Sequence, residues 1–171
     1  MFSTTQKTAG QDMQHKDYLY QKVSAEPERK ADQYTVFLVE DNIDDREQII
    51  RTLGESPYIY DVHCFESGDK LVEYFIDEGY YDYGDEGVEN NIRKLILMDI
   101  HLPGVNGMEI IRDLKEHPMT KTIPVIMTTG DTSAQSFEKA DELQVSGYVL
   151  KPLYIGNIHE VIHRYLGQPV K

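Results

Sequence analysis

The chain has 171 residues, with 17 basic and 30 acidic side chains giving a formal net charge of −13; this is one domain with some surplus, and its surface repels nucleic-acid phosphates and anionic lipid. Hydrophobic residues make up 40% and charged residues 27%, so a packed core is within reach and wholesale disorder is excluded. The single cysteine, Cys64, excludes an internal disulfide framework and a cysteine-rich zinc site.

No apolar stretch approaches the roughly 18–20 residues a membrane helix needs. The N-terminal MFSTTQKTAGQDMQHK lacks the apolar segment of a secretory signal. The expectation is a cytoplasmic protein that contacts neither DNA nor a membrane. Residues 1–33 hold five basic residues (Lys7, Lys16, Lys22, Arg29, Lys30) and five acidic ones (Asp12, Asp17, Glu26, Glu28, Asp32), so the charge of −13 sits on residues 34–171. Residues 1–33 read as a flexible N-terminal extension with room for a short helix near Asp17–Val23, and residues 34–171 as the domain.

From residue 34 the pattern alternates. YTVFLVE (34–40) is an apolar, β-branched run that suits a strand buried on both faces. DNIDDREQIIRTLG (41–54) follows at helical spacing and stops at Gly54. YIYDVHCF (58–65) alternates weakly and predicts an outer strand. Ser67 caps a predicted helix through Ile76. DEGYYDYGDEGVEN (77–90), with six acids and three glycines, is an inserted loop. KLILMDI (94–100) is a second buried strand, HLPGVNG (101–107) a turn, and MEIIRDLKEH (108–117) an amphipathic helix. IPVIMTTG (123–130) is a third buried strand. A polar helix over 133–143, a short strand SGYVLKP (146–152) and an amphipathic helix NIHEVIHRYL (157–166) complete the chain. Five strand–helix repeats predict a five-stranded parallel sheet with helices on both faces, joined by right-handed crossovers.

In such sheets functional groups gather at the carboxyl ends of the strands. Those ends here are Glu40-Asp41, Asp99, Thr128-Thr129 and Lys151. Carboxylates at about 4 Å repel by about 4 kcal/mol per pair at an effective dielectric of 20, so a cation must offset them. Lys151 supplies one charge. All-oxygen ligation favours Mg²⁺ for the rest, an ion that keeps several waters and pairs with phosphate.

The pieces VFLVEDN (36–42), LILMDIHLPGVNGMEII (95–111), IPVIMTTG (123–130) and GYVLKP (147–152), in this order and spacing, resemble the response-regulator receiver domain over residues 34–166. The resemblance implies a (βα)5 flavodoxin-like fold. It implies Asp99 as phosphoryl acceptor, Glu40 and Asp41 as the acidic pair serving Mg²⁺, and the backbone carbonyl of His101 as a further ligand. It implies Thr129 as switch hydroxyl with Thr128 as its rival, Lys151 as phosphate-binding lysine, and Tyr148 as switch aromatic. His101 and Asp131, each two residues beyond a site residue, stand where a side chain tunes water attack on the phosphoryl group. The insertion 77–90 resembles that of receivers acting with phytochrome-type kinases. The implied protein is not an enzyme. It is a stand-alone regulator phosphorylated by a histidine kinase in a Mg²⁺-dependent reaction, within a two-component phosphorelay. It signals by contact with a target or by passing the phosphoryl group to a histidine phosphotransfer protein, with Ile155–Leu166 and the Tyr148 strand as the contact face and a homodimer within reach. The competing reading is a Mg²⁺-dependent phosphatase of the haloacid-dehalogenase type, which needs an acid two residues after the nucleophile, where this chain has His101.

Overall fold

The runs read as doubly buried strands form the middle of one sheet. The computed structural model describes residues 19–25, 28–76, 93–104, 106–130 and 132–166. Its elements are β1 (Leu19–Lys22), β2 (Tyr34–Val39), α1 (Ile43–Gly54), β3 (Ile59–Phe65), α2 (Gly68–Ile76), β4 (Arg93–Asp99), α3 (Gly107–Glu116), β5 (Val125–Thr129), α4 (Ala134–Glu142), β6 (Gly147–Leu150) and α5 (Ile155–Leu166). The sheet order is β1-β3-β2-β4-β5-β6. The five strands from β2 onward pair in parallel.

Strand alternation divides the core into two layers. Phe37, Val39, Ile96, Met98, Val125 and Met127 face one way, against Leu71 and Phe75 of α2 and Ile110, Ile111 and Leu114 of α3. Val36, Leu38, Leu95, Leu97 and Ile126 face the other way, against Ile49, Ile50 and Leu53 of α1 and Ile158 and Ile162 of α5. Because both faces are covered, β2 is buried at all six positions. That explains why it reads as a continuous apolar run. No helix among the described residues is long and apolar enough to cross a membrane.

Among the described residues the expected five strands are six. Residues Leu19–Lys22 form a strand where a helix near Asp17–Val23 was expected, and β3 is therefore not the outermost strand. β1 pairs antiparallel to β3, from Leu19 opposite Cys64 to Lys22 opposite Asp61. The N–H groups of Val23 and Ser24 continue the ladder onto the Tyr60 carbonyl at 3.1 and 3.0 Å. The physical reason lies in Asp61, a buried acid on β3. Both of its oxygens accept from the Arg29 guanidinium at 3.0 Å, and Oδ1 also accepts from the Thr35 hydroxyl at 2.6 Å. Arg29 stacks over the Tyr60 ring at 4.6 Å, and Tyr20 meets His63 edge-on at 5.1 Å. Part of the extension is thus bound to the domain by a paired charge and ring contacts. The expected insertion 77–90 lies outside the described residues.

Candidate functional site

The carboxyl ends of β2, β4 and β6 deliver the central groups. Glu40 follows β2 directly, and its buried Oε1 accepts the Asn42 N–H at 3.1 Å. Asn42 then caps α1, accepting the Asp45 N–H at 3.0 Å, so the turn that orients Glu40 also starts a helix. Asp99 ends β4 and is buried; its Oδ1 accepts the His101 N–H at 2.9 Å. Lys151 follows β6, held there by its own N–H donating to the Thr129 carbonyl at 2.8 Å.

Two further contacts fix this rim. Gly107 opens α3 hard against the acceptor strand: a Cβ there would lie 2.8 Å from the Asp99 carbonyl oxygen and 3.0 Å from Ile100 Cα. Only glycine permits that approach. On the other side, the Gln48 amide of α1 donates to the Leu153 carbonyl at 2.7 Å. That bond anchors the loop that carries Lys151.

The Lys151 ammonium joins the acids. It donates to Glu40 Oε2 at 2.6 Å, Asp99 Oδ2 at 2.7 Å and Asp45 Oδ2 at 3.1 Å. Burial pushes the Glu40 carboxyl up, opposed by the bond and the charge of Lys151. Burial pulls Lys151 down, but its hydrogen bonds to Asp99, Glu40 and Asp45 outweigh this and leave the ammonium above its usual range. The lysine is therefore charged throughout the physiological range. Oxygens of Glu40, Asp41 and Asp99 also lie within 4.8 Å of one another. With four acids around one ammonium the site keeps a negative excess. Three convergent carboxylates with no nitrogen or sulfur donor among them suit a hard divalent cation.

Glu40, Asp41, Asp99 and Lys151 thus come together as expected. Thr129 lies buried at the end of β5, beside Leu150 in register. Thr128 stands in register with Asp99, and its buried hydroxyl finds no hydrogen-bond partner among the described residues. Alternation sends the two threonines to opposite faces. A Cβ added at Gly130 would meet nothing within 4 Å, so the mouth beside Thr129 is open. His101 enters the site through its backbone N–H. Tyr148 is 40% exposed and stacks on Phe137 at 4.5 Å. Asp131 lies outside the described residues. The sequence reading missed Asp45 and Gln48. Asp45 looks like an ordinary first-turn helix acid, and its contact spans 106 positions.

A family model of the response regulator receiver domain matches residues 36–163. The response regulator Rcp1 of a Synechocystis species is 26% identical over 128 residues, covering 74% of this chain and 82% of that protein. Among solved structures, the bacteriophytochrome response regulator RtBRR superposes with a TM-score of 0.65 at 29% identity, covering 81% of each chain. The phosphorylated cyanobacterial phytochrome response regulator RcpA gives a TM-score of 0.62 at 25% identity, covering 81% of this chain and 97% of that one. Some relatives are far longer: the chain spans 16% of a probable cyclic di-GMP phosphodiesterase from Vibrio cholerae.

Proposed function

Because the chain belongs to the response regulator receiver domain family, we propose that it serves a two-component phosphorelay by taking a phosphoryl group on Asp99 from a partner histidine kinase. The observation that carries this reading is the Lys151 ammonium bonded at once to Glu40 and Asp99, groups delivered by three separate strand ends. The haloacid-dehalogenase reading has no support: the position two after Asp99 is His101, and the family match is to receivers.

An Asp99 carboxylate oxygen attacks phosphorus in line, a P–O bond forms, and the P–N bond to the kinase histidine breaks with its electron pair returning to the imidazole. The oxygen-only set of Glu40, Asp41 and Asp99, joined by the His101 carbonyl, would hold Mg²⁺, which when bound supplies positive charge and orients the phosphoryl oxygens. Lys151 balances charge on a second oxygen. Thr129, placed by the motif at the open end of β5, donates its hydroxyl to a third, and Tyr148 follows it from its exposed position against Phe137. His101 and Asp131 are the side chains proposed to tune water attack. Outward signalling uses the face of β6 and α5. A groove of about 290 Å³ there is lined by residues including Tyr148, Leu150, Asn157 and Val161. It suits a target, a histidine phosphotransfer protein or a second copy of the chain. The phytochrome-linked relatives support a kinase of that type as partner.

The test is acid-labile labelling by a small phosphodonor or the cognate kinase with Mg²⁺. Asp99→Asn abolishes the label; a variant that still takes it moves the acceptor elsewhere.

A further inference from the structure

An ammonium has three N–H donors, and those of Lys151 are matched by three carboxylates: Glu40, Asp99 and Asp45. A phosphoryl group on Asp99 needs one of them. The three acceptors are not equally replaceable. The Glu40 side chain is 1% exposed, so losing its counter-charge would leave a buried carboxylate unpaired, which is the costly outcome. Asp99 is the acceptor itself. Asp45 is 49% exposed and makes the longest of the three bonds, 3.1 Å. Water can take the place of Lys151 at its oxygen.

We propose that Asp45 is a positioning residue that occupies the Lys151 donor later claimed by the phosphoryl group, and so sets how readily the site accepts that group. This deepens the assignment of Asp99 above and rests on it. The placement of Asp45 is not incidental to α1. Its backbone N–H is tied by the Asn42 cap, which aims the first helical turn at the strand ends and leaves the carboxylate within reach of the lysine. Removing the carboxylate frees one donor without touching the cap, because the cap uses the backbone.

The effect belongs to a half-exposed ion pair, so it is modest and screened by salt. The experiment titrates the full chain with beryllofluoride in the presence of Mg²⁺, and separately with Mg²⁺ alone, by calorimetry. Asp45→Asn binds beryllofluoride about two- to five-fold tighter than the parent, as expected from releasing a partly exposed pair. The gain shrinks as salt rises, and affinity for Mg²⁺ alone stays the same. Asp44→Asn, which removes the same charge from the same turn, gives no comparable gain. Equal beryllofluoride affinity in Asp45→Asn overturns the proposal, as does an equal gain in Asp44→Asn, which would make the effect one of general charge. A loss of Mg²⁺ affinity in Asp45→Asn also overturns it, placing Asp45 among the metal's ligands. If Asp99→Asn binds beryllofluoride as well as the parent, the acceptor assignment fails and this proposal falls with it.

Discussion

His63 shows how one residue ties stability to pH. It lies on β3 with its ring 5.1 Å from Tyr20, 5.2 Å from Phe37 and 5.9 Å from Tyr74. Burial pushes the imidazole down from 6.5 to about 4, with nearby Arg29 helping and Asp61 opposing. The folded protein therefore holds His63 neutral, while the unfolded chain protonates it below 6.5. Its contribution is fully present above 6.5 and is lost as pH falls towards 4, amounting to about 3 kcal/mol across that window. Glu40, with its carboxyl pushed up, works in the opposite direction, so the comparison is between variant and parent at each pH. Urea unfolding of His63→Phe should lose less stability between pH 7 and pH 4 than the parent does. An identical loss in both would mean that His63 is not the group responsible. At this scale the site was largely legible, because Glu40, Asp41, Asp99 and Lys151 each end an apolar strand. Asp45 was not, since nothing local separates it from Asp44.

Among the elements, β2, β4 and β5 announced themselves because both of their faces are covered and few polar residues interrupt them. β1 gave no such signal. Leu19–Lys22 is four residues long with a partly exposed, mixed surface, and what makes it a strand is its partner, 39 positions or more along the chain. The decisive pair, Arg29 with Asp61, was invisible for the same reason. Arg29→Ala takes the guanidinium away from Asp61, whose side chain is 8% exposed, and leaves its carboxylate with hydroxyl partners such as Thr35 but no paired charge from Arg29. The expected cost is about 2 kcal/mol, less than for a fully buried pair because Arg29 is itself partly exposed. Amide hydrogens of Leu19–Lys22 should exchange faster at the same time. An unchanged urea midpoint with unchanged exchange would show that the pair does not hold the strand.

Over the whole molecule, the sheet runs from β1 at one side to β6 at the other, and the two outer strands differ in character. β1 covers the long β3, whose seven residues include Val62, Cys64 and Phe65 in the core. Deleting residues 1–25 should uncover that row of backbone donors and acceptors, a template for pairing with another chain. Light scattering should then show association that rises with concentration, while a chain lacking only residues 1–18 stays as the parent. If both truncations behave alike, β1 does not protect the sheet.

β6 is the contrasting case, four residues with Tyr148 and Leu150 turned outward at 40% and 39% exposure. The two flanks are equally short but differ in what they expose: apolar side chains on β6, and a mixed row ending in the charged Lys22 on β1. The same four residues near the start of the chain that complete the fold thus also set a short strand ending in a charge where the seven-residue β3 would otherwise offer its backbone to a neighbour.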